Sequence, residues 1–544
     1  MQSNRAFSAR AAICVLTALG IGLIVALTGC GGDNNGSPSS SPTPPALTAT
    51  PTAQPSSAPF ANGEGTLLSS QLVVSYPTKA PAAAAQEMNA VSAGSIALDT
   101  AYAGIICAGL SSAQCVANEA SLNVPLFGNF NVATDPIGNN PLGIKLVDAL
   151  KIQYQAINVD QSLDPVSGGL LVPEVAATSI KGVIIYYHGT TVDRTNVPSN
   201  FVTATNSGGD TEGTLLAALW ASQGYVVVMP DYIGLGNDTT HPHPYVVYPQ
   251  TNAQSGLAML DAVRSVLSNS YGISGALPLF LTGYSEGGAY SLEAGHLMQN
   301  NSGYGSVLQV SLKIAAPVSG AFDLSGTVVP YLFDNVTPTN NNWFSLDPTQ
   351  SALSKPYLLG YLILGYAEYS ATPPLNIVPS AFYNCSNQAT CGNQPNLTGL
   401  YFSSGLPDDQ VLLDIDSQAL NTAWQIPSND IAPLLTQAYA TAFLNKDLTN
   451  ALYALTVAAD TYLFVPNFPL SIVSLMEDSV VTRKNSDVAF GYIEQQNPAG
   501  PYQELLINNS SFLAQGLFGA GPIDHLSELP FLGVLLLNQF NIAP

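Results

Sequence analysis

The 544-residue sequence predicts an α/β fold: a doubly wound, mostly parallel sheet with a large inserted cap. Three observations carry this. Near-continuous apolar runs recur, as in 182–187 and 225–229, and such runs suit strands buried on both faces. Helix-prone stretches separate them, and strand-helix alternation implies right-handed crossovers between parallel neighbours. The third is Gly283-Tyr284-Ser285-Glu286-Gly287, set between an apolar run over 276–282 and a helix-prone stretch over 289–299. A serine in such a strand-turn-helix, with glycine two residues to either side, is lifted clear of the sheet in a strained conformation that small neighbours make possible.

In chain order, residues 1–29 read as an export signal. Arg5 and Arg10 give a positive start, 11–27 is an uncharged apolar run too short to span a bilayer comfortably, and Leu27-Thr28-Gly29-Cys30 has the pattern of a bacterial lipobox. That pattern implies cleavage before Cys30 and diacylglycerol on its sulfur. Residues 30–60 hold seven prolines, many Ser and Thr, and one charge, Asp33, a composition that cannot bury a core and serves as a tether. The expected location is therefore the bacterial cell envelope, on a lipid anchor facing the periplasm or the cell surface. Residues 61–145, rich in Ala, Ser and Asn with weak periodicity, form a lead-in of no assignable role.

From 146 the texture changes. Strands are expected over 146–159, 169–173, 182–187, 225–229, 277–281, 312–316, 470–476 and 504–507, with helices over 215–223, 253–268, 289–299 and 486–496. The first part of the core is thus 146–325 and the second 461–544. Between them 326–460 loses the alternation, which marks a cap insertion. Its aromatic stripe Tyr357-Leu358-Leu359-Gly360-Tyr361-Leu362-Ile363-Leu364-Gly365-Tyr366 suits the cap's own core, or alternatively an acyl pocket.

The formal charge is −23, and loss of Arg5 and Arg10 with the signal makes it two units more negative, which argues against nucleic acid as a partner. Cys14 leaves with the signal and Cys30 takes lipid. The four remaining cysteines form two close pairs, Cys107 with Cys115 and Cys385 with Cys391, and in an exported chain such spacing reads as two local disulfides.

A serine hydroxyl needs a base within hydrogen-bond reach and an acid to orient that base. Five histidines are available. His188 ends a strand, His241 and His243 precede the elbow, and His296 lies along the elbow helix. His525, in a loop after the last expected strand, is the best base. The acid should follow a strand between Ser285 and His525. Asp478, just past the strand ending at Met476, fits better than Glu477, Asp487 or Asp460. The oxyanion needs two backbone N–H donors, expected from Glu286 and from Thr190 in His188-Gly189-Thr190-Thr191, with Thr191 close behind. His241-Pro242-His243 near Asp238 invites a metal reading. No further ligand pair at metal spacing is visible, so neither metal nor cofactor is expected.

The chain resembles the α/β-hydrolase superfamily over 150–325 and 465–530, in particular bacterial exported lipases and esterases akin to the secretory lipase family. The resemblance rests on His188-Gly189-Thr190, Ala221-Ser222-Gln223-Gly224-Tyr225-Val226-Val227-Val228, Pro230-Asp231-Tyr232-Ile233-Gly234-Leu235-Gly236, His243-Pro244-Tyr245, Gly283-Tyr284-Ser285-Glu286-Gly287-Gly288, and the surroundings of Asp478 and His525. It implies an ester hydrolase acting on a small-molecule or lipid ester through an acyl-enzyme. A peptidase of the same fold and a non-catalytic surface binding protein are the alternatives. Relatives commonly have glutamine after the serine. Glu286 instead adds a carboxylate close to the oxyanion, a handicap unless its side chain turns away.

Overall fold

The computed structural model describes residues 59–78, 98, 142–206, 208–333, 358, 361, 362, 365, 366, 369, 445–476, 478, 480–507, 525 and 529–542. The signal, Cys30, both cysteine pairs (Cys107, Cys115; Cys385, Cys391) and most of the expected cap lie outside the described residues.

Nine strands form one sheet: β1 (Leu67–Pro77), β2 (Leu146–Ile157), β3 (Leu163–Pro173), β4 (Gly182–Tyr187), β5 (Tyr225–Pro230), β6 (Leu277–Tyr284), β7 (Val310–Val318), β8 (Leu470–Leu475) and β9 (Tyr502–Ile507). Their spatial order is β1-β2-β3-β5-β4-β6-β7-β8-β9. The strands from β5 to β9 pair in parallel, and β1, β2 and β3 extend the sheet antiparallel. The expected doubly wound, mostly parallel sheet is therefore present.

The continuous apolar runs are explained by two cores, one on each face. Val183, Ile185 and Tyr187 of β4 enter one cluster, whereas Ile184 and Tyr186 enter the other. Successive side chains point to opposite faces, so a strand covered on both sides leaves no position for a polar residue. Helices α2 (Pro249–Tyr271) and α3 (Glu286–Asn300) supply Leu257, Met259, Tyr290 and Leu292 to the first face. Helix α1 (Thr211–Leu219) and helix α5 (Leu529–Ile542) cover the second, where Leu216, Trp220, Leu536 and Phe540 meet. The Trp220 indole N–H donates to the Gly533 carbonyl at 2.8 Å, and the Trp220 and Phe540 rings pack edge to face. Helix α4 (Arg483–Gln496) follows β8 and adds Ala489, Phe490 and Ile493 to the first face.

Some elements lie outside those expected, among them a strand and a helix at the ends of the described chain. Strand β1 falls in the lead-in, outside the core as drawn from 146, yet it pairs with β2 along nearly its whole length. Most of its residues are exposed, as an edge strand allows, so apolar periodicity did not mark it. Helix α5 beyond His525 was also unassigned. Among the described residues no helix is long and apolar enough to cross a membrane.

Parallel strands end on one side of the sheet. Register pairs Tyr187 with Gly283, Tyr284 with Val318, and Val318 with Val473, so the chain leaves β4, β6, β7 and β8 at one carboxyl edge. Loops at that edge are where sites form in such sheets.

Candidate active site

Ser285 sits between β6 and α3 at φ 55° and ψ −119°, a left-handed φ that a non-glycine residue rarely adopts. Its surroundings leave no room for larger neighbours. A Cβ on Gly283 would lie 2.2 Å from the Gly287 carbonyl oxygen, and one on Gly287 would lie 2.0 Å from that of Tyr187. The turn is pinned by Ser285 N–H donating to Val318 O and by Gly288 N–H donating to Ser285 O, both at 2.9 Å.

Three residues remote in sequence converge there. His525 Nε2 lies 2.8 Å from Ser285 Oγ, and His525 Nδ1 lies 2.7 Å from Asp478 Oδ2. All three are buried. Asp478 is itself held, since its Oδ1 accepts from the N–H groups of Val480 and Val481 at 2.8 Å each. The His525 imidazole stacks on the Tyr284 ring with centroids 4.9 Å apart, so packing and hydrogen bonds fix its plane together. Glu477 lies outside the described residues. Asp487 is in α4, paired with Arg483, and Asp460 bonds Ser325.

Thr190, Gly189 and Thr191 line a cavity of about 100 Å³ together with Ser285 and His525. Glu286 opens α3, where a helix leaves its first N–H groups without intrahelical acceptors. His188 is not part of the Ser285–His525 contact. Its ring stacks on Tyr232 at 4.1 Å and its Nδ1 lies 2.7 Å from the Gly189 carbonyl oxygen, which braces the Gly189–Thr191 turn. His296 stacks on Phe464 and pairs with Glu293.

The Glu286 side chain turns away from the serine. Its Oε1 lies 2.5 Å from His243 Nε2 and accepts from the Tyr290 hydroxyl at 2.5 Å. His243 Nδ1 donates to the Ile233 carbonyl at 2.8 Å, so a proton is shared between Nε2 and the carboxyl. Both side chains are fully enclosed. Sequence reasoning assigned His243 no such role. The only signal was its place in a resemblance segment, His243-Pro244-Tyr245.

The wall of the cavity toward α1 carries two carboxyl groups, Asp210 and Glu212. Asp210 caps α1, accepting from the N–H groups of Glu212 and Gly213. Burial, and then the charge of Asp210, push the Glu212 carboxyl up to about 8, and Tyr186 donates to it. Nothing in the sequence pattern distinguished it.

On the other side of Ser285 a narrow cavity is apolar, lined by Leu324, Val328, Leu332, Leu358 and Leu362 among others. Tyr361 stacks on Tyr245 at 4.6 Å and donates to the Thr191 carbonyl at 3.0 Å, and Tyr369 donates to the Pro242 carbonyl at 2.7 Å. Of the aromatic stripe, Tyr361 and Tyr366 are buried in packing, and Leu358 and Leu362 line the cavity. Among the described residues, one group has metal-ligand geometry: Asp164, Asp238 and His241.

Comparison with known proteins agrees with this architecture. The family model for secretory lipases matches residues 197–316, which contain the elbow. The rice cell wall degrading esterase LipA from Xanthomonas oryzae, in a ligand-bound form, superposes with a TM-score of 0.58 at 18% identity, covering 88% of this chain and 98% of LipA. A candidate hydrolase from Legionella pneumophila superposes with a TM-score of 0.56, also at 18% identity and with the same coverages of 88% and 98%. No curated protein matches the chain in sequence. The chain has the α/β-hydrolase fold and resembles the secretory lipases, and together these support a hydrolase of the lipase/esterase kind.

Proposed function

We propose that this chain is an exported, lipid-anchored serine hydrolase that cleaves carboxylic esters through an acyl-enzyme. The observation that carries the reading is the continuous relay Asp478–His525–Ser285, with both contacts under 3 Å. In the proposed cycle His525 Nε2 takes the Ser285 proton as Oγ attacks the ester carbonyl, and Asp478 holds the imidazole by its Nδ1–H and balances its charge. The carbonyl oxygen gains negative charge in a space served by the N–H groups of Glu286 and Thr190. His525 then protonates the departing alkoxide. A water, deprotonated by the same nitrogen, releases the acid and restores Ser285.

The polarity of the two cavities supports an ester with an apolar acyl part and a more polar alcohol. Leucines and valines surround one side of Ser285, whereas Thr190, Asn196, Asp210 and Glu212 line the other. The anchor is proposed from the Cys30 lipobox, and the export signal from residues 1–29. The expected disulfides, Cys107–Cys115 and Cys385–Cys391, are in keeping with that compartment.

The test is a fluorophosphonate probe beside a nitrophenyl ester assay. Wild type should be labelled and active, and Ser285→Ala should be neither. A folded wild type that takes no label and cleaves no ester would overturn the enzymatic reading in favour of a binding protein on a hydrolase fold.

A further inference from the structure

Asp164 is the second residue of β3, and Asp238 and His241 lie in the loop between β5 and α2. One ligand atom from each falls within 4.8 Å of the others. The Asp164 carboxylate is buried, only 7% exposed, and its Oδ2 has no hydrogen-bond partner. That oxygen points at the imidazole: His241 Nδ1 lies 3.4 Å from Asp164 Oδ2 and 3.3 Å from Asp238 Oδ1. Leaving a carboxylate oxygen buried without a donor costs stability, so such an atom marks a place for a positive partner.

We propose that Asp164, Asp238 and His241 hold a divalent ion of the zinc class as a clamp between the start of β3 and the β5–α2 loop. Zinc binds imidazole nitrogen and carboxylate oxygen at about 2.0–2.2 Å, which in a tetrahedron separates neighbouring ligand atoms by about 3.3–3.6 Å. Both nitrogen-to-oxygen separations fall in or at the edge of that window. Calcium sites are built from oxygen alone, so the imidazole selects against them. Two carboxylates balance the charge of the ion, and the 31% exposure of the His241 side chain admits a water as fourth ligand.

The ligands are also supported from behind. Asp238 Oδ1 accepts from the Thr240 N–H and hydroxyl, which fills it, whereas Oδ2 accepts only from Gly234 N–H and keeps a lone pair for the ion, 3.3 Å from His241 Nδ1. The Thr240 hydroxyl oxygen also lies 2.9 Å from His241 Nδ1, a contact the ion would replace. Arg194 donates to the carbonyls of Gly234, Asp238 and His241 and so shapes the loop. The same loop delivers His243 to Glu286, beside the nucleophile.

The test is Co²⁺ and Zn²⁺ binding by the full, untagged chain after chelator treatment. We expect one Co²⁺ per chain with the intense visible absorption of tetrahedral coordination, displaced by Zn²⁺, and a rise in Tm of about 5 °C at saturating Zn²⁺. Asp164→Asn and His241→Gln should each weaken binding at least tenfold and abolish the Tm rise, while ester hydrolysis by both variants reports that they remain folded. Absence of binding by wild type would mean that the cluster is only a contact of His241 with two carboxyl groups, and the proposal falls. It falls equally if both variants bind as wild type does, or if Ca²⁺ but not Zn²⁺ stabilises the chain.

Discussion

His525 Nε2 approaches Ser285 Oγ to 2.8 Å across 240 residues of sequence, the longest-range contact of the site's relay. We predict that Asp478→Asn, which keeps the shape but removes the charge and the acceptor that fixes the imidazole tautomer, lowers kcat by about 10⁴ with KM little changed. Steady-state kinetics on a short nitrophenyl ester measure this. An Asp478→Asn variant within tenfold of wild type would remove Asp478 from the relay.

Glu286 and His243 form a buried pair behind Ser285, and each leaves the other uncompensated when removed. His243→Ala should destabilise the chain by about 3–5 kcal/mol, because the carboxyl then keeps only the Tyr290 hydroxyl. Glu286→Gln, which can still accept from Tyr290, should cost about 1–2 kcal/mol. A double-mutant cycle read by urea unfolding should give a coupling of about 1–3 kcal/mol. Additive losses would mean that the two side chains act independently.

Stability should fall as pH rises from about 4 to 8. Asp460 is half-buried after the helix Ala451–Ala458, and desolvation followed by the charge of Asp323 pushes its carboxyl up to about 8. Across that window the folded chain keeps a proton that the unfolded chain has lost, so each step up in pH favours unfolding. The contribution is complete below the ordinary aspartate range, about 3.9, and gone above the folded value. Glu212, also raised to about 8, acts in the same direction. Asp460→Asn should therefore flatten the dependence of urea midpoint on pH between about 5 and 8. An unchanged slope would assign the effect elsewhere.

Much of this architecture was legible because burial on both faces leaves a plain trace: β4, β5 and β6 are almost wholly apolar, and Gly283 and Gly287 flank a serine whose backbone tolerates nothing larger there. Asp478 could be chosen because it follows β8 at the edge where the site lies. What escaped depended on partners across the fold. Strand β1 needs only β2 beside it, so Leu68, Leu72 and Val73 remain exposed and give no pattern. Glu286 looked like a charge near the oxyanion until the β5–α2 loop brought His243 against it. Asp164 is 74 residues from Asp238, and only the placement of β3 beside β5 brings them together. Glu212 titrates abnormally because of burial, which composition does not encode.

If the apolar cavity takes the acyl part, as proposed, acyl preference follows from it. It holds a volume of about 20 Å³ beside Ser285, room for little more than one water-sized group. A long acyl chain would have to displace Leu332, Leu358 or Leu362, each packed in the cavity wall. We therefore predict highest kcat/KM on acetyl esters, falling as the chain grows and by at least tenfold by about eight carbons. Leu332→Ala opens the wall at a residue from a described helix, Val329–Phe333, and should shift the optimum by two or more carbons at a stability cost of about 2–4 kcal/mol. Because the change enlarges the acyl side alone, the preference among alcohol parts should stay as in wild type. A chain-length series and an alcohol series on both proteins separate these effects. A wild-type optimum at long chains, unmoved by Leu332→Ala, would show that the acyl group takes another route from Ser285.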